Sequence, residues 1–479
     1  MKLQDQLNEI LNDLSLVGSE TVLILGSILL LIVGLFSRSE LLNKFVFVAT
    51  IVVALYFNIQ IEKGGIILSQ SLFLSKEIIS FGSLFLVFAL TVLVFPRKTH
   101  VTEFYFFTLA ITLGSIFMMK ANSLLIIYLS IELVSFVSYI LTSFSFKKKG
   151  HEAGIKYLLF GAISSAIMLI GLGLVYGTTQ TFYISEWTTG MFSDLLPQIG
   201  VLFLIFGVLY KCAIFPFHIW TPAAYQEAPI DAVALFSVIP KLGGLILLKR
   251  IYFDAGFDFS HLLTQLLLVL GMATILVGTF GALKQVNTRR MISFGSVAHS
   301  GFLMGLVITP IDRFQEAFWW YAVSYGLMNY AVFYLISRYE ALSIYSNKDY
   351  QSSTEAPWIG GIFTLILVSL VGIPPLAGFT AKLFLFSSLW EIFNDTAVTV
   401  SIAYLLVSVF ATVASLFFYL RVPYNVFLST NASNNTELSI VFSLRSKIIA
   451  TIFGIALLML FFAPKLVMSF QSLLNNVHE

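Results

Sequence analysis

Residues 210–241 read Tyr210-Lys211-Cys212-Ala213-Ile214-Phe215-Pro216-Phe217-His218-Ile219-Trp220-Thr221-Pro222-Ala223-Ala224-Tyr225-Gln226-Glu227-Ala228-Pro229-Ile230-Asp231-Ala232-Val233-Ala234-Leu235-Phe236-Ser237-Val238-Ile239-Pro240-Lys241. Two lysines, a histidine and four prolines stand here, where a plain membrane anchor would carry leucine and valine. Charge at bilayer depth is costly and is normally kept only where it lines a polar cavity or a proton or ion path. Pro216 and Pro222 break a helix, and non-helical backbone at that depth is tolerated only when buried in protein or wetted. The stretch predicts a route for charge through a membrane.

The composition around it agrees. With 479 residues, 58% of them hydrophobic and 11% charged, and a mean hydropathy of +0.92, the chain lies far outside the range of soluble domains. It reads as an all-α polytopic membrane protein embedded in the lipid bilayer. A formal charge of +2 without a long basic tail argues against a nucleic-acid partner. The lone cysteine, Cys212, excludes an internal disulfide, a cysteine-clustered zinc site and a cysteine-ligated iron–sulfur cluster within this chain. Any redox cofactor is therefore expected on partners. Residues 1–18 read as a short amphipathic segment before an apolar run that is retained as the first span.

A span needs about 20 mostly apolar residues, and about 14 stretches qualify. They lie near 19–36, 43–60, 75–95, 101–119, 122–144, 153–176, 198–221, 229–252, 260–283, 290–309, 316–339, 357–390, 396–420 and 446–464. Basic residues such as Lys147, Lys148, Lys149, Arg289 and Arg290 concentrate in the loops of one side, which places both termini on the outer side. Lys156, Lys211, Lys241 and Lys382 instead fall inside spans. Spans four to eight and nine to thirteen form two groups of five, and the fourth member of each is broken by proline. The breaks are at Phe215-Pro216-Phe217-His218 and at Gly372-Ile373-Pro374-Pro375-Leu376-Ala377-Gly378-Phe379. Five is odd, so the second group enters from the opposite side, as in an inverted repeat with a midplane site on discontinuous helices. The expected domains are an N-terminal three-helix segment over 1–100, five-helix repeats over 101–252 and 253–421, and a C-terminal helix and tail over 422–479. The segments from Thr178 to Gln198 and from Asn431 to Glu437 read as solvated connections.

Glu132 sits mid-span with Ser135, Ser138 and Tyr139 at helical spacing, so a polar stripe faces something other than lipid. It reads either as half of a structural ion pair or as a proton-relay acid and counter-charge to a lysine. Lys211 and Lys241 flank the first break. Burial disfavours a charged ammonium while a nearby carboxylate favours it, so such a lysine can switch between holding and releasing a proton. Snorkelling to a headgroup is the competing reading; it suits Lys156, close to Lys147–Lys149, better than Lys241 or Lys382. His218 follows the first break and His299 lies mid-span near Ser296 and Ser300. An imidazole passes protons near neutral pH, or simply bonds a neighbouring helix. Asp231, after Pro229, reads as a helix-start acid. Gly171, Gly173 and Gly177 lie in an apolar helix and make no dinucleotide fingerprint.

Lys211 with the Phe-Pro-Phe-His-Ile-Trp-Thr-Pro run, Glu-Ala-Pro, Val-Ile-Pro-Lys241, and Ile-Pro-Pro-Leu-Ala-Gly-Phe-Thr-Ala-Lys382 together resemble the antiporter-like proton-pumping membrane subunits of respiratory complex I, the type I NADH:quinone oxidoreductase. Arg290-Met-Ile-Ser-Phe-Gly-Ser-Val-Ala-His299-Ser-Gly is similar to that family's tenth-span motif. The resemblance covers roughly residues 100–420 and is greatest to subunit N; Lys382 stands where subunit M commonly has glutamate. It implies a regulatory pair in Glu132 and Lys211, a central relay in Lys241, His299 on a hydrated axis and Lys382 as the relay of the far half-channel. Lys156 fits a lysine often seen early in the sixth span. It further implies a non-redox subunit that binds no cofactor, working beside other membrane-arm subunits of complex I, with FMN, iron–sulfur clusters, NADH and quinone on partner subunits. The implied location is an energy-transducing membrane, the bacterial inner membrane, with both termini periplasmic. Two alternatives share the core: a cation/proton antiporter subunit of the multisubunit sodium type, and a membrane subunit of a hydrogenase complex.

Overall fold

The computed structural model describes residues 13–37, 39–61, 64–97, 100–256, 262–309, 311–340, 356–396, 398–427 and 442–462. The expected amphipathic segment before residue 13, the Asn431–Glu437 connection and both termini lie outside the described residues.

In chain order the helices are α1 (Gly18–Phe36), α2 (Glu40–Ile59), α3 (Lys76–Thr91), α4 (Val101–Lys120), α5 (Leu124–Ser143), α6 (Lys148–Thr179), α7 (Leu195–Lys211), α8 (Trp220–Glu227) and α9 (Ile230–Asp254). They continue with α10 (Leu262–Leu283), α11 (Thr288–Val307), α12 (Ile311–Glu340), α13 (Ala356–Val371), α14 (Ala377–Thr396), α15 (Thr399–Tyr419), α16 (Arg421–Phe427) and α17 (Leu444–Phe462). Among the described residues, ten helices are long and apolar enough to cross a membrane. Both proline-rich breaks appear where the sequence puts them. The 198–221 stretch leaves the helix after Lys211 and resumes at Trp220, and the 357–390 stretch divides into α13 and α14.

The chain divides into two compact units. One holds the described residues of 1–212 and 239–258, the other those of 213–238 and 259–468.

In the first unit, side-chain caps define several helix starts. Ser39, Ser75 and Ser123 accept from the amides of Leu42, Ile78 and Leu125, supplying partners that a helix's first turn otherwise lacks. Between α2 and α3, where the span pattern predicts only a connection, Gly65–Ile67 and Leu72–Leu74 pair as an antiparallel hairpin, β1 and β2. Leu68, Ser69 and Gln70 turn it with positive φ. Its apolar side packs in a small core with Val17, Ile61 and Ile79. The residues after α6 are also more structured than a solvated connection. Ile184 and Phe192 lie in two short 3-10 turns and are buried with Trp187, and the Ile184 amide bonds the Asn122 carbonyl at 2.9 Å. Helices α6 and α7 press backbone on backbone, since a Cβ on Gly171 would lie 2.4 Å from the Leu204 nitrogen.

In the second unit, Asn287 caps α11 by accepting from Arg290. Arg289 then reaches across: its Nε and Nη2 bond the Glu340 carboxylate, and its Nη1 donates to the Ala228 carbonyl at 2.7 Å. One guanidinium thus ties the starts of α9 and α11 to the end of α12.

Candidate functional site

Three of the buried lysines are ones that the sequence places inside spans. Lys211 is 2% exposed, Lys241 0% and Lys382 3%. Burying an ammonium is expensive unless it is hydrogen-bonded, so the acceptors around each show what the fold provides.

In the first unit, Lys211 is the last residue of α7. Its Nζ is 3.2 Å from Ser138 Oγ on α5 and 3.4 Å from Tyr157 Oη on α6. The ammonium also stands 5.7 Å from the centroid of the Tyr157 ring, within cation–π range. Tyr157 is held in turn: Tyr139 packs against it edge-on at 4.6 Å, and Tyr210 Oη donates to its carbonyl at 2.8 Å. Glu132, half-buried on α5, accepts from Ser165 on α6. The expected partners therefore share one cluster and electrostatic reach, yet among the described residues Glu132 and Lys211 form no direct ion pair. Serine and tyrosine hydroxyls occupy the ammonium instead.

Lys241 follows Pro240, which removes one helical hydrogen bond just before it in α9. Cys212 Sγ lies 3.6 Å from the Lys241 carbonyl. Gly244 makes that approach possible, because a Cβ there would stand 2.7 Å from the sulfur.

In the second unit the break before α14 is organised around Lys382. Helix α13 ends at Val371, and Gly372 turns the chain with φ +86°, its amide bonding back to Val368 and Ser369. This is the glycine stop expected where a helix must end sharply. Cis bonds join Phe215 to Pro216 and Pro374 to Pro375, one at each break. Lys382 Nζ then donates to the carbonyl of Val371 at 2.7 Å, a cation at the negative end of a helix. Phe302 of α11 lies under the ammonium, 4.6 Å to the ring centroid. A small pocket lined by Lys382, His299, Phe302, Thr279, Gly295 and Tyr419 adjoins it. His299, 3% exposed, contacts Tyr321 through Nδ1 at 2.9 Å. One turn away, Ser296 Oγ meets Tyr325 Oη at 2.9 Å, and Tyr325 donates to the Ser237 carbonyl at 3.0 Å.

The other two expected relay residues sit differently. Lys156 is exposed on α6, and His218 is half-buried and stacked on Phe215 at 5.8 Å. Sequence reasoning missed the hydroxyls of Tyr157, Tyr321 and Tyr325. It also missed a buried ion pair of the first unit: Lys120 Nζ is 2.5 Å from Glu20 Oε1, with side chains 0% and 2% exposed. Among the described residues no group of histidine, cysteine and carboxylate side chains could hold a metal.

The family model described as NADH:quinone oxidoreductase/Mrp antiporter, transmembrane, matches residues 121–410. NADH-quinone oxidoreductase subunit N 2 of Chloroherpeton thalassium is 31% identical over 366 residues, covering 72% of this chain and 69% of that protein. NADH-quinone oxidoreductase subunit N of Chlorobium chlorochromatii is 32% identical over 398 residues, covering 76% and 73%. Among solved structures, a chain of respiratory complex I from Thermus thermophilus superposes with a TM-score of 0.78 at 24% identity, covering 94% of this chain and 98% of that one. A chain of the Mrp complex from Dietzia sp. DQ12-45-1b gives 0.78 at 19% identity, covering 96% and 98%. A chain of an archaeal membrane-bound sulfane sulfur reductase gives 0.84 at 18% identity, covering 98% of each. The structural matches establish the shared fold.

Proposed function

Because the chain belongs to the NADH:quinone oxidoreductase/Mrp antiporter transmembrane family, we propose that it is a proton-translocating membrane subunit of an NADH:quinone oxidoreductase. The observation that carries this is the burial of Lys211, Lys241 and Lys382, each beside a helix end or a proline, in a chain whose curated relatives are named subunit N. Intramembrane ionisable groups mark proton and ion pathways, and ends of broken helices are where such groups find acceptors. Glu132 and Lys211 form the input pair and Lys241 the central relay. His299 and Lys382 form the far half, with His218 and Lys156 as accessory groups at the first break and the sixth span.

The subunit carries charge without redox chemistry of its own. Electron transfer from NADH to quinone, with its FMN and iron–sulfur clusters, belongs to partner subunits. Fourteen spans in two inverted five-helix repeats, over 101–252 and 253–421, with a three-helix N-terminal segment and a C-terminal helix, are the architecture we assign. We place it in a bacterial inner membrane with both termini periplasmic.

The family's second branch supports one rival, a subunit of a sodium-type cation/proton antiporter. Purification of the tagged chain from its own membrane separates them. Co-purification with flavin, iron–sulfur clusters and NADH:quinone reductase activity is expected. Recovery with small hydrophobic antiporter subunits and no flavin would replace the reading.

A further inference from the structure

The seam between α5 and α6 opens as a groove of about 380 Å³, within the size range of small-ligand clefts. Phe136 and Ile140 line it from one face of α5, and Ile155 and Leu158 from one face of α6. Both helices are long and apolar enough to span a membrane, and Phe136 and Ile155 are 61% and 57% exposed, so the groove is open at bilayer depth. Gly154 lets its floor close, because a Cβ there would lie 2.0 Å from Ser143 Oγ. Tyr139 lines the groove and packs edge-on against Tyr157, which places the groove beside the Lys211 cluster.

At one end the chemistry changes. Phe146 and His151 line the groove there, and the His100 and His151 rings stand 5.0 and 6.4 Å from the Phe146 ring. The Arg97 guanidinium lies 5.7 Å from the ring of Phe144, another lining residue. Lys147, Lys148 and Lys149 follow, all exposed. No side chain caps α6, so its first amides add positive partial charge at the same end. The acids close by in sequence are Glu103, whose carboxylate is 3.8 Å from His100 Nδ1, and the exposed Glu152. Arg97 and the three lysines outnumber them.

We propose that this groove is a binding site for an anionic phospholipid, an acyl chain lying along the α5–α6 seam and the phosphate headgroup among Arg97, Lys147, Lys148 and Lys149. An apolar trough with cations confined to one end has the polarity of a lipid, and basic pockets between spans recognise anionic headgroups. A neutral helix of a neighbouring subunit would fill the trough and leave the cations without counter-charge. The site is independent of the proton path and of which complex the chain serves.

The test uses the assembled complex that carries this chain, in phosphatidylcholine vesicles doped with phosphatidylglycerol bearing a photoactivatable acyl chain. Labelled peptides are mapped by mass spectrometry. Labelling within residues 136–158 is expected, displaced by unlabelled phosphatidylglycerol and not by added phosphatidylcholine. This arm is read on the native complex and decides without any variant. Lys147→Gln/Lys148→Gln/Lys149→Gln should lower the labelling several-fold, and Ile155→Trp, which fills the trough and leaves the cations in place, should lower it as well. Equal labelling by photoactivatable phosphatidylcholine, or undiminished labelling in the triple variant, would mean ordinary bilayer contact and overturn the anionic site. Undiminished labelling in Ile155→Trp overturns the trough as its seat. Absence of label from residues 136–158, with a neighbouring subunit cross-linked there instead, overturns the lipid in favour of a protein contact.

Discussion

At the scale of single residues, the second break depends on how closely two backbones meet. A Cβ on Gly378 would fall 1.7 Å from the Ser369 carbonyl oxygen, and the Gly378 amide already uses Ser369 Oγ at 3.3 Å. Gly378→Leu should therefore force α13 and α14 apart and withdraw the Val371 carbonyl from Lys382. The expected outcome is an assembled complex with a lowered melting temperature and several-fold weaker pumping; unchanged values for both would show that the contact is not needed. Glu132 and Lys211 test a different idea. They share an electrostatic environment through a layer of hydroxyls, with Ser138 and Tyr157 on the lysine and Ser165 on the acid. In a double-mutant cycle on pumping, Glu132→Gln and Lys211→Met should be clearly non-additive, because neutralising one changes the field that the other feels. Strict additivity would separate them into independent sites. The lysines were legible in the sequence because a charge inside an apolar run has few explanations. Tyr157, Tyr321 and Tyr325 were not, because a tyrosine among many aromatics reads as ordinary packing until its hydroxyl is seen to face a lysine, a histidine or a serine.

Among the elements, the breaks were legible and the connections were not. Proline cannot donate in a helix and glycine adopts positive φ without strain, so Pro216 and the Gly372–Gly378 stretch announced their interruptions locally. Three-residue strands carry no such signal, and the β1–β2 hairpin owes its stability to a core that includes Val17 and Ile79, contacts that no local pattern displays. The same holds for the Glu20–Lys120 pair, whose members stand at the start of α1 and the end of α4. The inverted-repeat proposal makes a prediction at this scale. Single cysteines near His218 and near Gly378, in a Cys212→Ser background, should react with an impermeant thiol reagent from opposite faces of the membrane. Purified complex, reactive at both positions, serves as the control for shielding by neighbouring subunits. Labelling of both from one face alone would contradict the inversion.

For the whole molecule, composition and hydropathy were sufficient to recognise a polytopic membrane protein, and the two broken spans to place it among antiporter-like subunits. The division into compact units was not legible, because α9 begins among the residues of one unit and ends among those of the other, which a pattern of spans counted in order does not reveal. The central claim is that buried lysines in this chain carry protons driven by redox chemistry elsewhere. Lys241 tests it most directly, being wholly buried beside Pro240. In reconstituted complex, Lys241→Ala removes the charge and leaves an apolar side chain in an apolar place, so assembly should persist. The measurement is NADH-driven proton uptake alongside quinone reduction in the same proteoliposomes. The account predicts an assembled complex in which pumping is abolished and coupled quinone reduction falls with it; native pumping by that assembled variant would contradict the relay.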